Sequence, residues 1–347
     1  MTSKIPSRKG ARIRAVNASN KQTKRASEPK RASSRPLSIA VVGSGRLGTA
    51  IARALAECGH NIAAVVARQV THAKRAAALI DSHPRALSIA QLAALPPIDL
   101  VFVTTPDDAI QETATRLAGI IHTEGSKRPI AIHTSGVISS DALMPLRAGG
   151  LHVGSMHPLV SVSEPTSGAQ HLRSAFYCLE GDYDAVRMAG RLVRDLGGKS
   201  FSIKTSNKAL YHAAAVISCN HTVALFDLAV DLLARCGPSR SDALRMLATL
   251  LCNTCQNIVT RGTKRALTGP FQRGDAATVR KHLSALEVQN SSEAMAVYTL
   301  LGWRSLHLAQ QSGADPSLLS EVALALENAE GKRLESTGQF IGKRHLP

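Results

Sequence analysis

Three glycines lie at the spacing that lets a backbone turn hold a diphosphate, in the stretch Gly43-Ser44-Gly45-Arg46-Leu47-Gly48. An apolar run precedes the stretch and a helical pattern follows it, so it predicts a strand, a turn and a helix. Gly43 permits the tight turn, Gly45 leaves room for a diphosphate, and Gly48 lets the helix pack closely on the strand. The helix amides and the positive end of the helix dipole attract phosphate. We predict a dinucleotide site here; the alternative is a glycine turn that serves packing alone.

A basic residue stands where NAD-binding proteins carry an acid. Residues 61–67 form a second β-rich run, and Arg68 follows it, about 20 residues past the last glycine of the turn. A guanidinium, helped by Thr71, Lys74 and Arg75, suits a 2′-phosphate, because it presents a fixed fork of donors. The sequence therefore predicts NADP in preference to NAD. The alternative is a solvated basic turn at a helix start.

Polar or ionisable residues also follow three later strands. We predict these strands at 98–105, 130–133 and 151–156, with ends at Thr104-Thr105-Pro106-Asp107-Asp108, His133-Thr134-Ser135-Gly136 and His157-Pro158. Ligands bind outside the carboxyl ends of the strands in an open parallel sheet, so these ends should face the nicotinamide and the substrate. Asp107 or Asp108 is expected to cap the next helix.

From residue 205 onward the pattern is helical only. Helices are predicted at about 207–236, 239–261, 275–286, 291–311 and 316–330. The apolar segment 213–233 contains Asn220, His221, Asp227 and Asp231, which predicts a buried helix rather than a membrane span.

The fold class that follows is a doubly wound parallel Rossmann sheet with an all-α C-terminal domain. The predicted domains are a basic tail (1–36), an NAD(P)-binding domain (37–204), a helical substrate and dimerisation domain (205–330) and a C-terminal tail (331–347).

The basic tail carries most of the charge. The chain has a net charge of +17, and residues 1–36 hold eleven Lys and Arg against Glu28 alone, which is +10. The tail has almost no large apolar residues and no sustained periodicity, so we predict a disordered, solvated extension. A transit peptide or weak nucleic-acid adhesion remain alternatives, although no aromatic residue in it offers base stacking.

Two groups in the helical half could act on a substrate. Lys208 and His212 are four residues apart on a helix and therefore lie on nearly the same face. A lysine desolvated beside a second cation would have its pKa lowered, which suits a proton donor; the alternative is a solvated Lys and a packed His. Arg273 could clamp an anionic group, whereas Asp275 is expected to be a helix N-cap.

The cysteines give no metal or redox motif. Of six cysteines only Cys252 and Cys255 form a C-x-x-C pair, and no second pair completes a tetrahedral site. We predict buried helix positions for both, no metal site, and a reducing, cytoplasmic setting.

Together these motifs resemble the β-hydroxyacid and 6-phosphogluconate dehydrogenase-like group, and most closely the Rossmann-like proteins with a C-terminal domain of unknown function of the DUF2520 type. The resemblance is carried by the glycine turn, Thr105-Pro106-Asp107-Asp108-Ala109-Ile110, His133-Thr134-Ser135-Gly136, Met156-His157-Pro158-Leu159, Leu210-Tyr211-His212-Ala213-Ala214-Ala215, Leu267-Thr268-Gly269-Pro270 and Arg273-Gly274-Asp275.

The resemblance implies roles for several residues. Lys208 and His212 look like the Lys-x-x-x-Asn pair of hydroxyacid dehydrogenases, with His in place of Asn, and His157 is similar to the catalytic histidine of prephenate dehydrogenases. Ser135-Gly136 occupies the position of a substrate-binding turn, and Asn220 and Arg273 are the other expected substrate contacts. The strand end Thr105-Pro106-Asp107-Asp108 resembles the nicotinamide-side strand end of pyrroline-5-carboxylate reductases and ketopantoate reductase-like enzymes. This resemblance makes Thr105, Pro106 and Asp108 expected cofactor contacts.

Two functions are therefore weighed. The first is an NADP-dependent oxidoreductase that moves a hydride between the nicotinamide and a C=O or C=N carbon of a small anionic metabolite, with His157 or Lys208 managing the proton. The alternative is a non-catalytic NADP-binding sensor. A homodimer through the helical domain is expected, with no membrane partner and no nucleic acid beyond weak tail electrostatics.

Overall fold

A computed structural model describes residues 35–121 and 128–337, with side chains through residue 332. The chain divides into two compact units: the first ends at Phe201, and the second comprises residues 136–139 and the chain from Ser202 onward. The basic tail lies outside the described residues except for Arg35 and Pro36, and of the predicted C-terminal tail only residues 331–337 are described.

The first unit is built on an eight-stranded sheet with the order β3-β2-β1-β4-β5-β6-β7-β8. The pairs from β3 to β6 are parallel, and β7 runs antiparallel to β6. The predicted doubly wound Rossmann fold is confirmed. The strands are β1 (Ser38–Val42), β2 (Asn61–Ala67), β3 (Arg85–Ser88), β4 (Leu100–Val103), β5 (Ile130–His133), β6 (His152–Pro158), β7 (Phe176–Gly181) and β8 (Lys199–Ser202).

The core of this unit lies between the sheet and its helices. Strands β1, β4 and β5 are apolar almost throughout and their side chains are buried, as expected for parallel strands covered on both faces. Small side chains let the helices approach closely, and Gly168 packs near Ala50. The helices are α1 (Arg46–Glu57), α2 (Val70–Ala77), α3 (Ile110–Ala118), α4 (Met144–Ala148), α5 (Pro165–Leu172) and α6 (Tyr183–Asp195).

The second unit is helical, as predicted. Its apolar core is formed by the last helices, where Val279, Val322 and Leu326 are fully buried. The helices are α7 (Lys208–Ser218), α8 (Asn220–Ala234), α9 (Arg240–Ala266), α10 (Pro270–Arg273), α11 (Ala276–Val288), α12 (Ser292–Gln311) and α13 (Pro316–Thr337). The last helix continues past residue 330, where the sequence pattern predicts its end.

The prediction of one long buried helix over 213–233 is wrong. The backbone breaks at Cys219, which separates α7 from α8, and only Lys208 and Val230 of the two helices are buried. Apolar residues surround both helices while few elements pack against them, so Ile217 and Val223 remain 63% and 67% exposed. The segment Thr205–Ala234 is long and apolar enough to cross a membrane by length and composition, which alone is weak support for a span.

The prediction that Cys252 and Cys255 are buried is also wrong. Both cysteines are exposed on helix α9. In residues 35–121 and 128–337, no group of three or more His, Cys, Asp or Glu side chains could hold a metal ion.

Candidate functional site

The glycine turn is held tightly between two strands. Gly43 follows β1 with φ +117°, its amide donates to the Val66 carbonyl of β2 at 2.8 Å, and its carbonyl accepts from Thr104 Oγ1 at 2.7 Å. A Cβ on Gly43 would lie 2.6 Å from the Thr104 carbonyl, and a Cβ on Gly48 would lie 2.1 Å from the Gly43 oxygen. Both positions therefore require glycine.

Gly45 differs from these two glycines. It has ordinary φ of −70°, and a Cβ built on it would meet nothing within 4 Å. Gly45 is the N-cap of α1, no side chain caps the helix, and its first turn contains no acidic residue. Within the described parts of the chain, the amides of residues 44–48 donate no backbone hydrogen bond. An open cradle with free amides at a helix N-terminus fits a diphosphate.

The side chains on either side of this cradle leave it accessible. Arg46 is exposed and reaches the Ser163 carbonyl at 3.4 Å, while Leu47 packs partly against the apolar core. Thr49 Oγ1 donates to the Ser44 carbonyl at 3.3 Å, which ties the turn to the helix that follows.

Strand β4 ends beside the cradle, because Val42 and Val103 are register partners. The strand that follows β1 in the sequence, β2, lies on one side of this pair, and the strand that follows β4, β5, lies on the other side. The strand order therefore reverses between β1 and β4, and open α/β sheets bind ligands at such a switch point. Thr105 Oγ1 is buried and has no hydrogen-bond partner among the described residues. Pro106 and Asp108 are exposed beyond it.

The predicted acidic cap of the next helix is wrong. Asp107 and Asp108 lie in a short 3-10 helix, and α3 begins after Ala109 without a side-chain cap. The two carboxylates lie inside the first turn of the 3-10 helix, past the position from which a side chain caps.

Arg68 is exposed immediately after β2, two residues past the Val66 that receives the Gly43 amide. Helix α2 has no acidic residue in its first turn, and Thr71, Lys74 and Arg75 are exposed along it. This edge is basic and open to solvent.

The loop after β5 is fixed at its first residues. His133 is fully buried, its Nδ1 accepts the Ser135 amide at 3.1 Å, and Ser155 Oγ donates to the Ser135 carbonyl at 3.3 Å. An accepting Nδ1 places the proton of a neutral ring on Nε2. Ser135 and Gly136 are buried as a result.

Glu180 fixes the other end of this loop. It lies on β7 opposite Ser155, is 6% exposed, and accepts from the Ser140 amide at 2.7 Å and from Ser140 Oγ at 2.9 Å. Sequence reasoning missed this residue, and it placed Thr104 at a strand end without a role of its own. The available signal for Glu180 is a carboxylate inside the otherwise uncharged strand Phe176–Gly181.

His157 lies at the end of β6, as predicted, one residue before the last residue of the strand, Pro158. Val103, His133 and Ser155 are level across β4, β5 and β6, but β6 continues to Pro158 because β7 pairs with it. His157 is half-buried and lies opposite Cys178. Its catalytic role stays a prediction.

The candidate residues of the second unit differ in exposure. Lys208 is 2% exposed at the start of α7, and His212 is half-buried one turn later. Asn220 is exposed at the start of α8, and Arg273 is exposed at the end of α10. Their roles toward a substrate stay predictions.

Asp275 is a helix cap, as expected. Its carboxylate accepts from the Thr278 amide at 3.0 Å and from Thr278 Oγ1 at 2.7 Å, and these bonds lower the pKa of Asp275. The carboxylate is thereby engaged in starting α11.

Two family models match the chain in succession. A Rossmann-like domain matches residues 22–158, and a domain of unknown function, DUF2520, matches residues 175–305. The chain therefore contains a Rossmann-like domain followed by a DUF2520 domain. A search of curated proteins finds no significant match.

Solved structures share this architecture. A Thermotoga maritima protein is 24% identical with a TM-score of 0.61, covering 79% of this chain and 98% of its own. A Bacteroides fragilis protein proposed to be an NADP oxidoreductase is 24% identical with a TM-score of 0.61, covering 78% and 98%. A Plasmodium falciparum pyrroline carboxylate reductase with NADP bound is 12% identical with a TM-score of 0.50, covering 85% and 97%. At these identities the likeness shows the fold.

The domain models divide the candidate residues. The glycine turn, Arg68, Thr105 and the loop after β5 lie in the Rossmann-like domain, which ends at the last residue of β6. Lys208, His212, Asn220 and Arg273 lie in the DUF2520 domain, together with Glu180 on β7.

Proposed function

We propose that this protein is an NADP-dependent oxidoreductase that acts on a C=O or C=N carbon of a small anionic metabolite. The observation that carries the proposal is the glycine turn, where an open position at Gly45 adjoins uncapped amides at the switch point of the sheet. The nicotinamide, when bound, supplies or accepts the hydride.

The preference for NADP rests on charge. Arg68 follows β2 at the position from which an acidic residue would bind the ribose of NAD, and no acid replaces it in the first turn of α2. A guanidinium at this position binds a 2′-phosphate through charge-assisted hydrogen bonds. The NADP named for the Bacteroides and Plasmodium proteins agrees with this choice.

This chain would hold the substrate with two kinds of group. The turn Ser135-Gly136 is buried and fixed by His133 and Ser155, so its atoms are already ordered before a ligand arrives. Arg273 would bind an anionic group, and its exposure leaves the guanidinium available.

A proton must also move when a C=O or C=N bond is reduced. His157 and Lys208 are the two candidates for this proton transfer. A sensor that only binds NADP needs no proton donor, so the presence of these ionisable residues supports an enzyme over a sensor.

The test combines binding and turnover. NADPH should bind to the purified protein, followed by nicotinamide fluorescence, and its oxidation should be observed with at least one member of a panel of 2-oxo acids, 3-oxo acids and cyclic imines. Binding without turnover across the panel would favour the sensor. No binding of either NADPH or NADH would contradict both.

A further inference from the structure

We propose that Thr104 is a positioning residue for the diphosphate, acting through the peptide that joins Gly43 to Ser44. This inference rests on the proposed function, because it concerns how the chain prepares its dinucleotide site. Thr104 follows β4 and is not among the neighbours of the open position at Gly45, where a Cβ would meet nothing within 4 Å.

Hydrogen bonds from Thr104 hold the Gly43 carbonyl and the end of β1. Thr104 Oγ1 donates to it at 2.7 Å and lies 3.2 Å from the Val42 carbonyl, while the Thr104 amide donates to Val42 at 2.8 Å. The Gly43 amide is held on the other side by Val66 of β2. Gly43 is therefore fixed by both neighbouring strands at once.

The orientation of the next amide follows from peptide geometry. In a planar trans peptide the C=O and N–H groups point in opposite directions. Because the Gly43 carbonyl is turned toward Thr104, the Ser44 N–H is turned away from β4. It is the first of the amides at residues 44–48 that donate no backbone hydrogen bond within the described residues.

Both outer glycines of the turn make room for this hydroxyl. A Cβ would lie 2.7 Å from Thr104 Oγ1 if placed on Gly43 and 2.3 Å from it if placed on Gly48. Gly43, Gly48 and Thr104 are therefore packed closely together, and the Thr104 hydroxyl is the polar group of this cluster. Without the hydroxyl, the Gly43 carbonyl would lose this partner, and the peptide could rotate away from the orientation that presents Ser44 N–H.

The experiment measures NADPH affinity and melting temperature for two substitutions. Thr104→Val removes the hydroxyl and nearly preserves volume, and Thr104→Ser keeps the hydroxyl. We expect Thr104→Val to weaken NADPH binding about tenfold, the order of one lost hydrogen bond, and Thr104→Ser to restore it to within about threefold. Valine places a methyl group where the threonine hydroxyl meets the Gly43 carbonyl. If this contact prevents folding, Thr104→Ala removes the hydroxyl without adding that methyl group and repeats the test.

Tyr177→Phe is the matched control. Tyr177 is buried in the same unit and donates one hydroxyl hydrogen bond to the Leu172 carbonyl at 2.6 Å, far along the chain from the turn. We expect it to lower the melting temperature with unchanged NADPH affinity. Equal affinity of Thr104→Val and the unmodified protein, or an equal affinity loss in Tyr177→Phe, would overturn the positioning role alone. Failure of the unmodified protein to bind NADPH would overturn the proposed function, and the positioning role with it.

Discussion

Arg68 is the residue on which cofactor choice depends. Arg68→Asp should weaken NADPH binding by roughly 10-fold to 100-fold and leave NADH nearly unaffected or improved, because a charge-assisted pair with a phosphate is replaced by repulsion. Dissociation constants at fixed salt measure this. Arg85→Asp is the control. Strand β3 pairs in parallel with β2, and Arg85 begins β3, whereas Arg68 follows the end of β2. Equal binding of NADH and NADPH by the unmodified protein would contradict the assignment.

His157 and Lys208 compete for the role of proton donor. If His157 donates the proton, His157→Asn should lower the maximal rate by about 100-fold with NADPH affinity almost unchanged, and Lys208→Met should act mainly on substrate affinity. Steady-state kinetics with whichever substrate the panel identifies would decide. The reverse pattern transfers the role to Lys208, and normal rates in both variants would remove both assignments.

We expect the stability of the first unit to depend on pH through His60. It is 7% exposed, its Nδ1 accepts the Leu37 amide at 3.3 Å, and its Nε2 lies 3.2 Å from Asp195. Burial lowers the pKa of His60 below its ordinary value of 6.5, with Arg191 adding to the effect and Asp195 opposing it. The unfolded chain therefore binds a proton more readily, so the contribution of His60 is present above pH 6.5 and is lost as the pH falls below it.

The expected result is a steeper loss of melting temperature between about pH 7.5 and 5.5 in the unmodified protein than in His60→Gln. His72 is exposed on α2, so His72→Gln should keep the steep profile and serves as the control. Parallel profiles for all three proteins would show that His60 does not titrate as the structure implies.

At the scale of elements, the sequence predicts the strand, turn and helix around Gly43 because glycine spacing and apolar periodicity are local signals. The role of Thr104 depends on β4 lying beside β1, a contact between residues about 60 positions apart, and no local pattern reports it. The same is true of Glu180 and Ser140. The length of β6 also depends on its pairing with β7, which continues the strand past the level at which β4 and β5 end.

The exposure of α7 and α8 could not be predicted for a different reason. Residues 213–233 are apolar around the whole helix, and such a pattern indicates burial without indicating which surface provides it. Within the chain, Leu210, Ile217 and Val223 are more than 60% exposed, so the burial predicted from the pattern is absent from the single chain.

The exposed apolar surface of α7 and α8 supports the prediction of a homodimer through the helical domain. Helix α9 also carries exposed apolar residues, with Leu250 and Val259 62% and 81% exposed, and exposed apolar surface beyond scattered single residues marks interaction sites. Sedimentation should report a dimer at micromolar concentration, because two chains can cover these faces for each other.

Val223→Glu should shift this protein toward monomer, since it would bury a charge in the interface. Tyr183→Glu is the control, because Tyr183 is 82% exposed on α6 of the first unit. A monomer of the unmodified protein, or equal effects of the two substitutions, would contradict the dimer.

A dinucleotide diphosphate held by the glycine turn would occupy the open position at Gly45, so Gly45→Ala is the sharpest test of this site. The backbone at Gly45 accepts alanine and a Cβ there meets no protein atom, so folding should be unharmed. Gly119→Ala at the end of α3 is the matched control, with a nearest contact of 3.7 Å. We expect Gly45→Ala to keep the melting temperature and to lose NADPH affinity by about tenfold or more, while Gly119→Ala keeps both. Unchanged NADPH affinity in Gly45→Ala would contradict this diphosphate site.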